Sequence, residues 1–131
     1  MANEILVRVV SKKAAADLSS YQFCAVRISA SGTVNVCNGY LYRPTGVLRN
    51  KPTVAGQAAE VQRSGEGPVL LAGAVSAGDL LSPNATGAWY KTIAGHKAYA
   101  EAQEPGASGE IITAAIFCEG GGESVISTLS P

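Results

Sequence analysis

The chain alternates short apolar segments with turn clusters every eight to twelve residues, a spacing that predicts strands joined by tight turns. Val7 to Val10 opens as a β-prone stretch, and the polar, Ala-rich Ser11 to Ser20 follows it. Tyr21, Phe23, Ala25 and Arg27 then alternate with Gln22, Cys24, Val26 and Ile28, and Ser31-Gly32 supplies a hairpin turn into Thr33 to Cys37. Asn38-Gly39 turns the chain into Tyr40 to Tyr42. After Gly46-Val47-Leu48 and a loop from Arg49 to Gly56, Ala58 to Arg63 reads as a strand and Ser64-Gly65-Glu66-Gly67 as a turn. Pro68 then heads Val69 to Ala72, a place a proline tolerates because no ladder N–H is needed there. Ala98, Ala100 and Ala102 share one face at period two, and Pro105-Gly106 cuts the segment short of a stable helix, so Lys97 to Gln103 also reads as a strand. Glu110 to Cys118 is the clearest strand, and the Gly120 to Gly122 run separates it from Val125 to Leu129.

This pattern predicts a mainly β fold: a small single-domain β-barrel or β-sandwich of short hairpins, with little helix and an extended N-terminal arm. Its parts are residues 1–20 as N-terminal arm or first strand, 21–118 as the β domain, and 119–131 as a Gly-rich turn and short tail strand.

Composition changes the picture in one respect. With 131 residues the chain can bury roughly 70% of its unfolded surface in a single core. However, 21 Ala and 15 Gly make that core thin. Each missing CH₂ forgoes about 0.8 kcal/mol, which association with other subunits can restore. Ten Lys plus Arg against ten Asp plus Glu give no net pull toward nucleic acid or an anionic membrane. Cys24, Cys37 and Cys118 form an odd set without CxxC spacing, so a reduced folding compartment fits, and Cys24 and Cys118 read as small buried hydrophobes. Ile5 to Val10, broken by Arg8, is too short for a signal or membrane segment, and Asn84-Ala85-Thr86 reads as a turn after Pro83.

Candidate chemistry is sparse. The single histidine, His96, lies in a Gly-bounded loop and reads as solvated rather than as a general base. Gly106-Ala107-Ser108-Gly109 lacks the spacing of a nucleophile elbow, and Gly65-Glu66-Gly67-Pro68 lacks the Lys and Ser/Thr of a phosphate loop. The seven glutamates from Glu60 onward read as surface charge rather than as a paired-carboxylate site. No metal site and no cofactor are expected, and the reading is of a protein that is not an enzyme. The rival class is a small carbohydrate-binding or host-attachment β module that uses Trp89, Tyr90 and Tyr99 as a stacking platform.

From Gly46-Val47-Leu48-Arg49-Asn50-Lys51-Pro52 through Ala55-Gly56-Gln57-Ala58-Ala59-Glu60-Val61 the chain resembles the capsid decoration, or cement, proteins of tailed phages, with their G-V-L-x-N-K-P turn and A-G-x-x-A-x-V segment. Tyr21-Gln22-Phe23, Val75-Ser76-Ala77-Gly78-Asp79-Leu80-Leu81, Ala98-Tyr99-Ala100-Glu101-Ala102 and Gly109-Glu110-Ile111-Ile112 resemble further family segments, so the likeness covers about residues 20 to 118. The family's small apolar run is replaced here by His96-Lys97-Ala98-Tyr99. The resemblance implies a structural virion protein, made in the host cytoplasm, that docks on the outer surface of the assembled head. There it would bridge neighbouring copies of the major capsid protein, often as a homotrimer, and stabilise the shell. For that role Glu4, Ile5, Leu6, Val7, Arg8, Val9 and Val10 are the expected capsid-binding segment, suited to strand addition at an exposed sheet edge. Tyr40, Tyr42, Trp89 and Tyr90 are the expected interface aromatics, although Tyr40, Tyr42 and Trp89, at strand ends, read equally well as core anchors.

Overall fold

The computed structural model describes residues 7–37, 39, 43–93 and 95–118, together with the backbone of 123–124. Among these residues there is no α-helix, and the strands are β1 (Arg8–Ala14), β2 (Ala25–Ile28), β3 (Thr33–Val36), β4 (Gly46–Leu48), β5 (Ala58–Leu70), β6 (Leu80–Pro83), β7 (Trp89–Lys91), β8 (Lys97–Ala98), β9 (Ala100–Ala102), β10 (Ile111–Phe117) and β11 (Glu123–Ser124). Nine of them form one sheet in the order β1-β3-β2-β4-β5-β10-β9-β6-β7, and β8 pairs with β11. The protein is therefore mainly β, as its apolar spacing predicts. Tyr40 to Tyr42 and Val125 to Leu129 lie outside the described residues.

One extra pairing shapes the molecule. β1 runs antiparallel to β5 as well as parallel to β3, so β1, β3, β2, β4 and β5 close a five-strand circuit. The remaining strands continue from the far half of β5, through β10, β9 and β6 to β7, and Leu71 just past β5 bridges back to Trp89. Two lobes share one long strand, and the sheet as a whole is not a closed barrel. Of the two readings for the first twenty residues, residues 8–14 take the strand: β1 is integral to the first lobe.

Strand periodicity explains how one sheet serves two cores. Successive side chains point to opposite faces, so Val26 and Leu48 fill the first lobe with Val34, Val61, Ala59, Ala14 and Leu18. Their neighbours Ala25 and Val47 face the second core, beside Val69, Leu81, Trp89, Ile112 and Ile116. The thin core is real: Ala25, Ala59, Ala98, Ala100 and Ala114 are wholly buried. Close approach is the return on small residues. A Cβ at Gly46 would overlap the Gln62 backbone oxygen, so only glycine lets β4 lie this near β5. Asn50, from the G-V-L-x-N-K-P turn, continues that pairing with its side chain, accepting from Glu60 N at 3.0 Å and donating to Ala58 O at 3.0 Å.

Two local expectations are corrected. Tyr21 to Cys24 is a turn and not the start of a strand: Cys24 N donates to Tyr21 O at 3.0 Å and Phe23 adopts φ 69°. Phe23 thereby links two elements, its N–H reaching Leu48 O at 2.6 Å and its carbonyl receiving Leu70 N at 3.0 Å. The second correction is Ser64 to Gly67, which lies inside β5 instead of ending it. Gly65 takes φ 91° there without breaking the pairing to β10. Pro68 stands opposite Thr113, whose N–H and C=O both turn toward the β9 side, to Glu104 Oε2 and Gln103 N. A residue opposite such a position also points its backbone polar groups away from the pair, so the missing proline N–H breaks no rung.

Candidate functional site

Of the expected capsid-binding segment, Glu4, Ile5 and Leu6 lie outside the described residues. Val7, Arg8 and Val9 are exposed at the start of β1, Val7 by 49% and Val9 by 41%, while Val10 turns partly into the first core. β5 covers one edge of β1 along Arg8 to Lys13, but β3 joins the other edge only at Lys13 and Ala14. Among the described residues, Val9 to Ser11 therefore has a strand on one edge only, next to two exposed valines. Such an edge can accept a further strand from another chain.

The expected interface aromatics separate. Tyr40 and Tyr42 lie outside the described residues. Trp89 is wholly buried at the start of β7 and Tyr99 nearly so, because both rings fill the second core. Neither presents a face to a sugar or a partner, which removes two of the three members of the stacking platform. Tyr90 is half-exposed, and its hydroxyl meets His96 Nδ1 at 2.7 Å with the rings perpendicular. His96 is thus pinned against β7 and is not a freely solvated loop side chain.

All three cysteines are buried and unbridged. Burial pushes Cys24 up from 9.0 to about 11, overrides the Gly39 hydrogen bond and the Arg27 charge to hold Cys37 at about 11, and lifts Cys118 to about 12 with help from Cys37. The unfolded chain ionises these thiols from about pH 9 while the folded chain keeps them neutral, so stability is level below that pH and falls as pH rises toward 11 to 12. Urea midpoints measured at pH 8 and pH 10 are expected to show this loss, and Cys118→Ala to reduce it. All three thiols are also expected to resist alkylation until the protein unfolds.

Three carboxylates accept hydrogen bonds from backbone N–H groups. Asp79 accepts from Ser76 N at 2.8 Å, Glu104 from Thr113 N at 2.8 Å and Glu110 from Ala107 N at 2.8 Å. Asn84 Oδ1 likewise accepts from Thr86 N and Ala88 N, organising the turn expected after Pro83. Among the described residues no three His, Cys, Asp or Glu side chains group as a metal-ligand set. A groove of about 170 Å³ lies between Ile28, Arg43, Pro44, Thr45 and Arg63, with Arg63 Nε donating to Thr45 O at 3.2 Å.

One surface went unnoticed in the sequence. The outward residues Ile111, Thr113, Ala115 and Phe117 of β10 stand beside Leu70, Pro68, Glu66 and Ser64 of β5. Across the next two strands Glu101 and then Leu80 continue the row of Ala115. The result is a four-strand apolar face with two carboxylates flanking Ala115, and Ile111 is 53% exposed on it. The signal in the sequence was the alternation of β10 itself, whose outer positions are Ile, Thr, Ala and Phe instead of charged residues.

No known family model matches the chain, and no curated protein does. Among solved structures the fold is similar to the crystal structure of the N base of head fiber gp8.5 of bacteriophage phi29, at TM-score 0.63 over 86% of this chain and 96% of that one. The two sequences are 16% identical across the match. At that identity the likeness shows a fold shared with a phage head-fiber base.

Proposed function

We propose that this protein is a structural component of a tailed-phage head: a decoration or cement protein that binds the outside of the assembled shell and ties neighbouring copies of the major capsid protein together. The observation that carries the reading is the fold match, which spans nearly the whole of a head-fiber base. The decoration-like turn at Gly46 to Pro52, folded here as β4 and the Asn50 pairing, supports the same class. In this role the protein is made in the host cytoplasm, ends on the virion surface, uses no cofactor and carries out no reaction. Its work is avidity: several copies, as a homotrimer on the shell, each hold a different capsid subunit, so modest contacts multiply through effective concentration.

The open edge of β1 is the shell contact in this proposal. Lysine on an edge strand discourages strand addition, so Val9→Lys is expected to lower occupancy on undecorated expanded capsids by about tenfold or more while leaving the melting temperature unchanged. Occupancy equal to the parent protein would remove β1 from the contact. Co-purification tests the wider role: the protein should track with intact particles at a fixed ratio to the major capsid protein, and its absence from particles would end the proposal.

The fiber-base neighbour also favours a second reading, a host-attachment module displayed on the head. Binding of the isolated protein to host surface glycans, with capsid occupancy unaffected by V9K, would favour it over cementing.

A further inference from the structure

Zero net charge conceals a strong separation along the chain. Residues 7–63, which build the first lobe, carry eight Lys and Arg against Asp17 and Glu60, a net charge of +6. Residues 64–118, which build the second, carry Lys91 and Lys97 against five carboxylates, a net charge of −3. The boundary falls within the shared strand β5, between Arg63 and Ser64.

Each lobe also has apolar surface next to its charge. Lys13, next to last in β1, stands opposite Ala58, and the 51–57 loop is stitched to the same end by Ala14 N to Gln57 O, Gly56 N to Ala14 O and Leu18 N to Pro52 O. That tip presents Lys13 and Lys51 with Val54, which is 58% exposed. On the second lobe, Glu66 and Glu101 flank Ala115 on the apolar outer face that includes Ile111.

From this complementarity we propose that copies of the chain associate head to tail, the cationic tip around Lys13, Lys51 and Val54 of one copy seating on the acidic apolar face around Glu66, Glu101 and Ile111 of the next. Two different patches meet, so the contact is heterologous and repeats around a ring or along a row. Because the two patches lie on one chain, every copy carries both halves and no second protein species is needed. The inference rests on the reading that the protein works as several assembled copies, and it supplies the contact; the shell edge at β1 remains free for the capsid.

The test uses free full-length protein, so that its failure leaves capsid occupancy a separate question. Sedimentation velocity is expected to show assembled species at about 0.01 M salt and monomer at about 1 M, where the screening length falls from roughly 30 Å to 3 Å. The reversals E66K/E101K and K13E/K51E are each expected to weaken self-association by about tenfold or more, and an equimolar mixture of the two to restore it as mixed pairs. Circular dichroism melts check that both variants fold; if either does not, the neutral pair E66Q/E101Q and K13Q/K51Q is used, each expected to weaken association by a smaller factor. Wild-type protein that stays monomeric at low salt, reversals without effect, or a mixture that fails to reassociate would each overturn the proposal.

Discussion

Trp89→Ala is expected to cost about 3–5 kcal/mol of folding stability, the range for emptying an aromatic site in a packed core. Trp89 is the largest wholly buried side chain, and it sits where the second lobe closes: it pairs with Pro83 of β6, bridges Leu71 beyond β5, and its carbonyl receives Ala72 N at 2.6 Å. Much of the core it shares is alanine, including Ala100, Ala102 and Ala114, and such short side chains cannot swing inward to fill the space the ring leaves. Among the described residues the buried indole Nε1 has no hydrogen-bond partner, a burial that costs about 1–3 kcal/mol. Trp89→Phe keeps most of the ring and deletes that N–H, so it is expected to cost about half as much as the alanine variant or less. Urea unfolding of the two variants checks the order. A loss below about 2 kcal/mol for Trp89→Ala would show that the second core is not organised around this ring.

The elements that depend on local pattern were legible, and those that depend on distant partners were not. The β2–β3 hairpin follows from alternation and from Gly32 at φ 87°, and β10 from its run of β-branched residues at period two. The small-residue core was legible as composition, although not the use the fold makes of it at Gly46. β5 was misread because Gly65, Gly67 and Pro68 are punctuation in an isolated segment. Inside the sheet each is answered by something far along the chain: β10 for Gly65 and Pro68, and the Gln62 side chain for Gly67. Trp89 was open between core and interface for a similar reason, since an aromatic near a loop tip is settled only by the distant bridge to Leu71 that encloses it. Charge balance was correct as a sum and silent as a distribution, because only the fold shows that the two halves of the sequence become the two lobes. The open edge of β1 was half legible: its strand propensity is local, but the late arrival of β3 at Lys13 is not.

Gln62→Leu is expected to destabilise the protein by about 2–5 kcal/mol although leucine nearly matches glutamine in size and is the better core residue on hydrophobicity alone. The reason is the bare edge of β5. Past Ser64, whose partner in β1 is Arg8, β5 has β10 on one side and, among the described residues, no strand on the other. Since Thr113 turns its backbone polar groups away from Pro68, alternation makes Ser64 and Glu66, at the same parity, turn theirs away from β10 as well. Gln62 caps both carbonyls where β1 comes to its end: its Nε2 donates to Ser64 O and Glu66 O at 3.0 Å each. Its Oε1 accepts from Arg49 Nη1 at 2.7 Å, and Arg49 O in turn receives Gln22 Nε2 at 2.9 Å, so the turn before β2 is tied to the same carboxamide. Gly67 leaves the room, because a Cβ there would overlap the Gln62 amide oxygen. Leucine keeps the volume and removes three hydrogen bonds, one of them to a guanidinium, from a side chain with no solvent exposure. Glutamate distinguishes charge from geometry: it keeps the Arg49 contact, but turns an oxygen toward the two carbonyls, and is expected to be no more stable than leucine. Chemical denaturation gives the size of the effect. If Gln62→Leu lost less than about 1 kcal/mol, the two carbonyls would have to find water at that edge, and the side chain would not be what carries β5 from one lobe into the other.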